Sequence, residues 1–552
     1  MDFLRNNRLA LHFLMGIVLT IVYPMQELFS GNQNIYFLWG MADLLPNAFT
    51  ADPLVNSPNP YPAFSWLITV LPIRFLSIWT TAIYVFLSSV YSFSLFGIAD
   101  RIAPLYKNKT QFFSFTTLFL FLHSSPIWGT YFSLVFDIDL RWVWDSGIAE
   151  QGVLRGYLQP SVFGVFLLFS LYQVMQKNYA LAILWIAPAA AFHASYVFLG
   201  GILTILILFQ SNFGKKSLLA AVLLLLLALP YSYYIFSHFL QVDETMKTAI
   251  NQAVMAGYDE NIHINPTNWI GPKFYLQLLC MVISVIAFWK THLRTILLWM
   301  LVFGILLTTL AYGLESTTLI SLNPWRISIL IMPIASIAIL SSIVNSGIWT
   351  TIRPHILSFV GVACAALVFY RVFGNRSADF IGPWTTIQIA AFILVSISAG
   401  FVFKNETLNK LLTPIIIIAL ITVGLVDRYV HGISKSSTDE FKAIAAIDKT
   451  IEPNTVYVVP ADWTSFRMNA QKAVFADKNL VYGPALPSLM ERLELLESAY
   501  ESNDFSSVIA SVPSGTTIKL IAPSTTEIPT AFSKHALTNT FSCITLRQTT
   551  LP

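Results

Sequence analysis

The chain has 552 residues, 55% of them hydrophobic and 11% charged, with a mean hydropathy of +0.65. Soluble domains carry about 25% charged residues, so the composition excludes a soluble globular protein and points to a polytopic membrane protein. The net charge of +3 is too small for a nucleic-acid-binding surface, and the three cysteines, Cys280, Cys364 and Cys543, are too scattered for a disulfide framework or a metal cluster.

The chain opens on the basic MDFLRNNR and runs straight into an apolar stretch with no small-residue cleavage site. This predicts a retained first helix and not a cleaved signal peptide. A membrane helix needs about 20 mainly apolar residues. By that rule spans fall near 9–29, 75–98, 111–128, 158–176, 180–195, 197–210, 217–237, 273–289, 295–313, 325–344, 355–373, 383–403 and 411–430, about thirteen in all. With the N-terminus in the cytoplasm, the short connections holding Arg101, Lys107, Lys109, Lys177, Lys215, Lys216, Lys290 and Arg294 fall on the cytoplasmic side, as the excess of basic residues there requires. The long connections at 30–63, 129–157, 238–272 and 314–324 fall on the other side and hold most of the acids. An odd number of spans leaves the C-terminus outside.

From about residue 435 the sequence turns polar. STDEFKAIAAIDK and LPSLMERLELLESAYES have helical spacing, whereas TVYVVP, TIKLIAP and TFSCITLRQ read as strands. Alternating strands and helices predict a small α/β domain. The expected architecture is therefore mainly α: a polytopic helix bundle over 1–432, integral to the membrane, followed by a small extracytoplasmic α/β domain over 433–552. No internal repeat and no GxxxxGK[ST] phosphate loop is present.

The ionisable residues of the long connections are the candidates for chemistry. Glu27 ends the first span, and Asp52 precedes Pro53 in a proline-rich loop. Carboxylates are scarce near lipid because their desolvation is costly. The richest stretch is FDIDLRWVWDSGIAEQGVLRGYLQPS, residues 136–161. In an extended segment Asp137 and Asp139 would share a side, where they offer a base or a place for a divalent cation. Arg141 and Arg155 either neutralise these acids or hold a phosphate, which the planar guanidinium fork suits. Gln159 stands at a helix start, a favourable place for anions. His193 lies in the apolar AAAFHASYVF, and Arg326 opens the span SLNPWRISIL. Each is either a packed and snorkelling residue or part of a polar site.

The stretches GNQNIYFLWGMADLL, ADPL, PNPYPAFS, LRGYLQPSVFG, FHASY, NPWRIS and FRMNAQKAVFADK follow an N-in first span and a long outer loop. The pattern resembles the GT-C superfamily of membrane glycosyltransferases, in an uncharacterised bacterial branch. The resemblance implies an enzyme in the inner or plasma membrane that moves a sugar from a polyprenyl-phosphate carrier to a glycan, lipid or protein acceptor, with inversion. It implies Asp52, Asp137 or Glu27 as base, and Arg155 and Arg326 as phosphate holders with Asp139, Arg141, Gln159 and His193 beside the substrate. No cofactor is required beyond a divalent cation that the aspartates could bind. Many such enzymes carry a carboxylate just ahead of a tyrosine after the first span; here Gly31-Asn32-Gln33 stands before Tyr36. The competing readings are a polysaccharide polymerase or ligase using lipid-linked oligosaccharide, a lipid or solute transporter, and a non-catalytic assembly partner.

Overall fold

The computed structural model describes the chain apart from residues 1–3, 5, 24, 134–138, 242, 257–262, 264, 315, 317–318, 321, 374–405, 480–483, 525, 527–532 and 548–552. The expected span at 383–403 lies outside the described residues. Among the described residues six helices are long and apolar enough to cross a membrane: Ile73–Ala99, Lys215–Phe239, Leu293–Gly313, Pro324–Val344, Trp349–Val368 and Leu411–Ser436. Arg8–Val22, Pro160–Met175, Tyr179–Phe192, Ala194–Gln210 and Pro272–Ala287 are apolar but shorter. The burial of the long helices differs widely. Pro324–Val344 is 83% buried over its apolar window, whereas Lys215–Phe239 is 11% buried and turns Leu219, Leu225 and Leu226 outward. So much exposed apolar surface on one helix is not tolerated in water and is compatible with an integral membrane protein.

Several expected spans are broken for local reasons. The stretch at 111–128 is a helix, Lys109–Leu122, whose first turn is capped by the Asn108 side chain accepting from Thr110 and Gln111. It stops at His123 and is followed by a π-turn, Ile127–Tyr131. The stretch at 180–195 is two helices, Tyr179–Leu184 and Ile186–Phe192. Pro188 lacks the N–H that would bond to the carbonyl of Leu184, which accounts for the break.

The chain forms two compact units. The first comprises 1–26, 81–229 and 260–430. Its centre is the helix Ser328–Val344, packed on Pro272–Ala287 and Lys109–Leu122. The second comprises 27–80, 230–259 and 431–552. Its framework is a five-stranded sheet of β1 (Thr455–Val458), β2 (Ala473–Val474), β3 (Thr517–Pro523), β4 (Ser533–Ala536) and β5 (Phe541–Arg547), in the order β2-β1-β3-β5-β4. β1 pairs in parallel with β2 and β3, whereas β5 runs antiparallel to β3 and β4. Side chains alternate across a strand. Val456 and Val458 meet Leu496, Val508 and Ile544 on one face, while Tyr457 and Val459 meet Ile444, Phe466 and Ile521 on the other. Both faces are covered, so β1 is buried at all four positions, as a parallel strand between helical layers must be.

The α/β tail is thus present, but the unit that contains it also takes in 27–80 and 230–259. Buried charge accounts for the first of these. Asp52 is fully buried, and its Oδ2 accepts from Arg467 Nε at 2.8 Å and from Val474 N at 3.0 Å. Its Oδ1 accepts from Leu54 N at 2.9 Å. Arg467 also binds Asp477, at 2.9 Å. Further bonds run from Asn469 to the Phe29 carbonyl and from Lys435 to Ser30. Tyr231 and Tyr234 donate to the carbonyls of Pro60 and Asn59, which ties in the second added segment.

Removing one partner from a buried charge cluster strands the others and costs about 3–5 kcal/mol. Arg467→Met is expected to lower the stability of the detergent-solubilised protein on that scale, read as a fall in melting temperature, while Lys478→Met on the exposed pair with Asp462 changes little. Glu440 in the same unit gives a pH test. Burial pushes its pKa up from 4.5 to about 7, against bonds from the Ser465 and Phe466 backbone and the charge of Lys435. The folded state therefore holds this proton more tightly than the unfolded chain. Its contribution is most favourable below pH 4.5 and declines as pH rises toward about 7. Glu440→Gln is expected to flatten that part of the melting-temperature profile.

Candidate functional site

The segment 139–161 is irregular throughout, with short turns and one isolated bridge between Ser146 and Gly152. Trp142, Ala149 and Glu150 have φ of 59°, 60° and 55°, a left-handed region costly for side chains other than glycine. Its backbone is satisfied largely by side chains of the first unit. Ser328 Oγ accepts from Ile148 N at 2.8 Å, and Gln277 Nε2 donates to the Ser146 carbonyl at 2.9 Å. Ser336 donates to the Trp144 carbonyl, Tyr84 to that of Arg155 and Tyr196 to that of Ser161. Gly147 is required by close approach, since a β-carbon there would stand 2.1 Å from Ser328 Oγ.

Three groupings of polar side chains sit on this framework. In the first, Arg326 donates through Nε to Gln151 Oε1 at 2.8 Å and through a terminal nitrogen to Ser195 Oγ. His193 Nδ1 accepts from Ser195 N at 3.3 Å and lies 2.9 Å from Ser195 Oγ. An acceptor Nδ1 fixes the Nε2–H tautomer, and the imidazole caps the helix Ala194–Gln210. His193 thus positions Ser195 and, through it, Arg326.

In the second, Arg155 lies over the ring of Trp142 at 4.6 Å. Its guanidinium has no hydrogen bond or ion pair among the described residues. Asp145, fully buried nearby, accepts from the Tyr23 hydroxyl at 2.6 Å. Burial pushes the Asp145 carboxyl above its ordinary range, against the pull of His123, Tyr23 and Arg155. Gln159 is buried, with Nε2 on Ser161 Oγ at 2.7 Å and Oε1 unbonded among the described residues.

In the third, a cavity of about 210 Å³ is lined by Asp139, Glu150, Asn268, Trp269, Lys273 and Gln277, among others. Lys273 and Glu150 pair at 2.7 Å on its wall. Asp139 accepts from three donors of Arg141, the backbone N, Nε and Nη2, 2.6 Å at the shortest. Burial raises the Asp139 pKa, but the bonds and charge of Arg141 outweigh it and hold the carboxyl below its ordinary range. The groupings are neighbours: His263, whose Nδ1 is 2.8 Å from the Ala149 carbonyl, lies within electrostatic reach of Arg155, Arg326 and Glu150.

The sequence candidates therefore divide. Arg155, Gln159, His193 and Arg326 belong to one framework in the first unit, and Asp139 lines the cavity with its charge spent on Arg141. Asp137 lies outside the described residues. Asp52 and Glu27 belong to the second unit. Asp52 has both oxygens engaged in the buried triad, and Glu27 is exposed beside Gly432. Sequence reasoning did not single out Gln151, Ser195, Ser146 or the Tyr23–Asp145 pair as site residues. Apart from Asp145 these are uncharged and common in membrane helices and loops, so only their position distinguishes them. Among the described residues no three of His, Cys, Asp or Glu are grouped to hold a metal ion. No family model matches the chain, and no curated protein and no solved structure is similar to it.

Overpacking a close contact costs about 1–3 kcal/mol. Gly147→Ala is expected to lower stability, read as a fall in melting temperature, by at least that much, and Ser328→Ala in the same chain is expected not to restore it, because the β-carbon would still meet the backbone of Ser328 and Ile329 at 2.7 and 2.6 Å and Ile148 N would lose its acceptor.

Proposed function

We propose that the chain is a GT-C-like membrane glycosyltransferase that transfers a sugar from a polyprenyl-phosphate donor to an acceptor at the extracytoplasmic face. The observation that carries this reading is two arginines at one irregular segment: Arg155 belongs to it, and Arg326, in the turn Pro324–Ile327, bonds to its Gln151. Arg326 is oriented by Gln151 and Ser195, and Arg155 lies on Trp142 with its N–H groups uncommitted to any described residue. Both lie within electrostatic reach of His263. Guanidinium groups fixed before the substrate arrives suit a phosphate whose negative charge grows as the sugar leaves.

In the reaction a carboxylate removes the proton of the acceptor hydroxyl. The hydroxyl oxygen attacks the anomeric carbon from the side opposite the phosphate, and configuration inverts. Arg155 and Arg326 take up the charge on the departing phosphate oxygen. Asp137 is the base in this scheme: it precedes Asp139, a cavity-lining residue, by two positions. Asp52 is assigned a structural role because its oxygens already accept from four donors.

Losing one donor to a developing anion costs roughly 100-fold to 1,000-fold in rate. Arg155→Ala and Arg326→Ala are each expected to reduce transfer by about that factor with normal amounts of folded protein, and Asp137→Asn to abolish it. The assay is mass spectrometry of polyprenyl-phosphate lipids in cells carrying each variant. Accumulation of a monosaccharide-phosphate lipid supports the reading. Accumulation of diphosphate-linked oligosaccharide would replace it with a polymerase or ligase, and full activity in both arginine variants would overturn it.

A further inference from the structure

The cavity beside Glu150 has a mixed lining. Trp269, Phe274 and Ile148 supply apolar surface, and Glu150, Lys273 and Asn268 supply polar groups. Its acids are already balanced: Lys273 neutralises Glu150 at 2.7 Å, and Arg141 neutralises Asp139 at 2.6 Å. A charged ligand therefore gains little there. The Glu150–Lys273 pair nevertheless keeps hydrogen-bonding capacity. Lys273 Nζ meets Glu150 Oε1, while Glu150 Oε2 and the remaining Nζ–H groups have no hydrogen bond among the described residues. An acceptor and a donor thus stand side by side, which suits neighbouring hydroxyls, since each both gives and takes a hydrogen bond.

Both walls are fixed. Ala149 and Glu150 have φ of 60° and 55°, a strained turn that persists only where its surroundings hold it. Here Ser328 Oγ accepts from Ile148 N, and His263 Nδ1 lies 2.8 Å from the Ala149 carbonyl. Trp269 stands edge-on to Tyr312 at 5.9 Å and tilted against Trp325 at 4.8 Å. Both walls also lead to Arg326. Glu150 precedes Gln151, which accepts from Arg326 Nε, and Trp325 precedes Arg326 in the turn Pro324–Ile327. The rim is open to a ligand, since Asn268 and Ile270 are exposed.

A sugar ring carries C–H groups on its faces and hydroxyls around its edge. An aromatic wall suits the first, and a neutral carboxylate–ammonium pair suits the second. At about 210 Å³ the cavity falls below the ~300–1,000 Å³ of sites for drug-sized ligands, so it takes one ring. We infer that this cavity is an acceptor-sugar site: it holds the terminal ring of a glycan, with Glu150 Oε2 accepting from one hydroxyl, Lys273 Nζ donating to its neighbour and Trp269 against a ring face. The inference rests on the transferase reading above, which it narrows from any acceptor to a glycan.

The test is saturation-transfer NMR of the purified full chain in a detergent without a sugar head group. The probes are the methyl glycosides of glucose, galactose, mannose, rhamnose, N-acetylglucosamine and N-acetylgalactosamine. At least one is expected to bind, with the strongest signal at its ring C–H protons. A hydrogen bond to a charged group is worth roughly tenfold or more in affinity. Glu150→Gln and Lys273→Met are therefore each expected to weaken the bound glycoside by about tenfold. Trp269→Ala is expected to abolish the ring-proton signal; if it does not fold, the two pair variants decide. Free alanine, a zwitterion that could answer both charges of the pair, is expected not to compete, and competition by it would overturn the inference. So would the absence of any bound glycoside, or wild-type affinity in both pair variants; transfer to a lipid or protein acceptor would then still stand. Full transfer activity in both Arg155→Ala and Arg326→Ala, with glycoside binding intact, would overturn the transferase reading and leave a sugar-binding cavity.

Discussion

Irregular backbone packed among apolar helices must find a partner for every N–H and C=O it carries, because water is not at hand to supply one. The segment 139–161 meets this demand by drawing on side chains from helices far away in sequence. Ser328 and Ser336 project from the most buried of the six long apolar helices, and Gln277 from its neighbour, to serve the backbone at 144–148. Tyr84 and Tyr196 do the same at 155 and 161. Buried polar residues in apolar helices are expensive unless bonded, so these helices and this segment depend on each other. What results is a rigid, non-helical shelf, and Arg155, Gln151 and Ser146 are carried on it.

The protein uses its arginines in two opposite ways. Arg467 is enclosed between Asp52 and Asp477, and its charge is fully engaged. Such a cluster contributes little net stability over an apolar equivalent, but it punishes the loss of any member and so fixes the arrangement of its segments. Arg155 lies on an indole face, an attraction of about 0.5–2 kcal/mol that leaves the N–H edge open. Cation–π support orients a guanidinium without consuming its donors, which is what an anion-binding residue needs. By the same test Arg141, engaged bidentately with the exposed Asp139, serves the loop before it serves a ligand.

How much of this the sequence reveals depends on the range of the interaction. Apolar runs are local, so helix positions were legible and only their interruptions were not: Pro188 breaks the run at 180–195, and the run at 111–128 stops at His123, whose ring bonds to Tyr91 and the Phe119 carbonyl. The short apolar runs TVYVVP and TIKLIAP identified β1 and β3, because a strand covered on both faces is a near-continuous apolar run. The attachment of the first loop to the tail was illegible, since Asp52 and Arg467 are 415 residues apart and no pattern joins them. Arg155 and Arg326 stood out because a charge in apolar surroundings is conspicuous. Ser146, Gln151 and Ser195 did not, because uncharged polar residues are ordinary until something is known of what they fail to bond.

That last distinction also separates Ser146 from most of the other buried hydroxyls without partners, Ser124, outside any helix after Lys109–Leu122, excepted. Ser88, Ser114, Thr116, Ser170, Ser341 and Ser358 lie within helices, where a small χ1 rotation brings the hydroxyl onto the carbonyl one turn back. Their apparent lack of a bond is cheaply repaired. Ser146 has no helical turn behind it. Around the point where a Gly152 β-carbon would stand lie the Ser146 hydroxyl, the Leu154 carbonyl and Arg155 Nε, so the glycine is what lets the Ser146 side chain pack across the bridge.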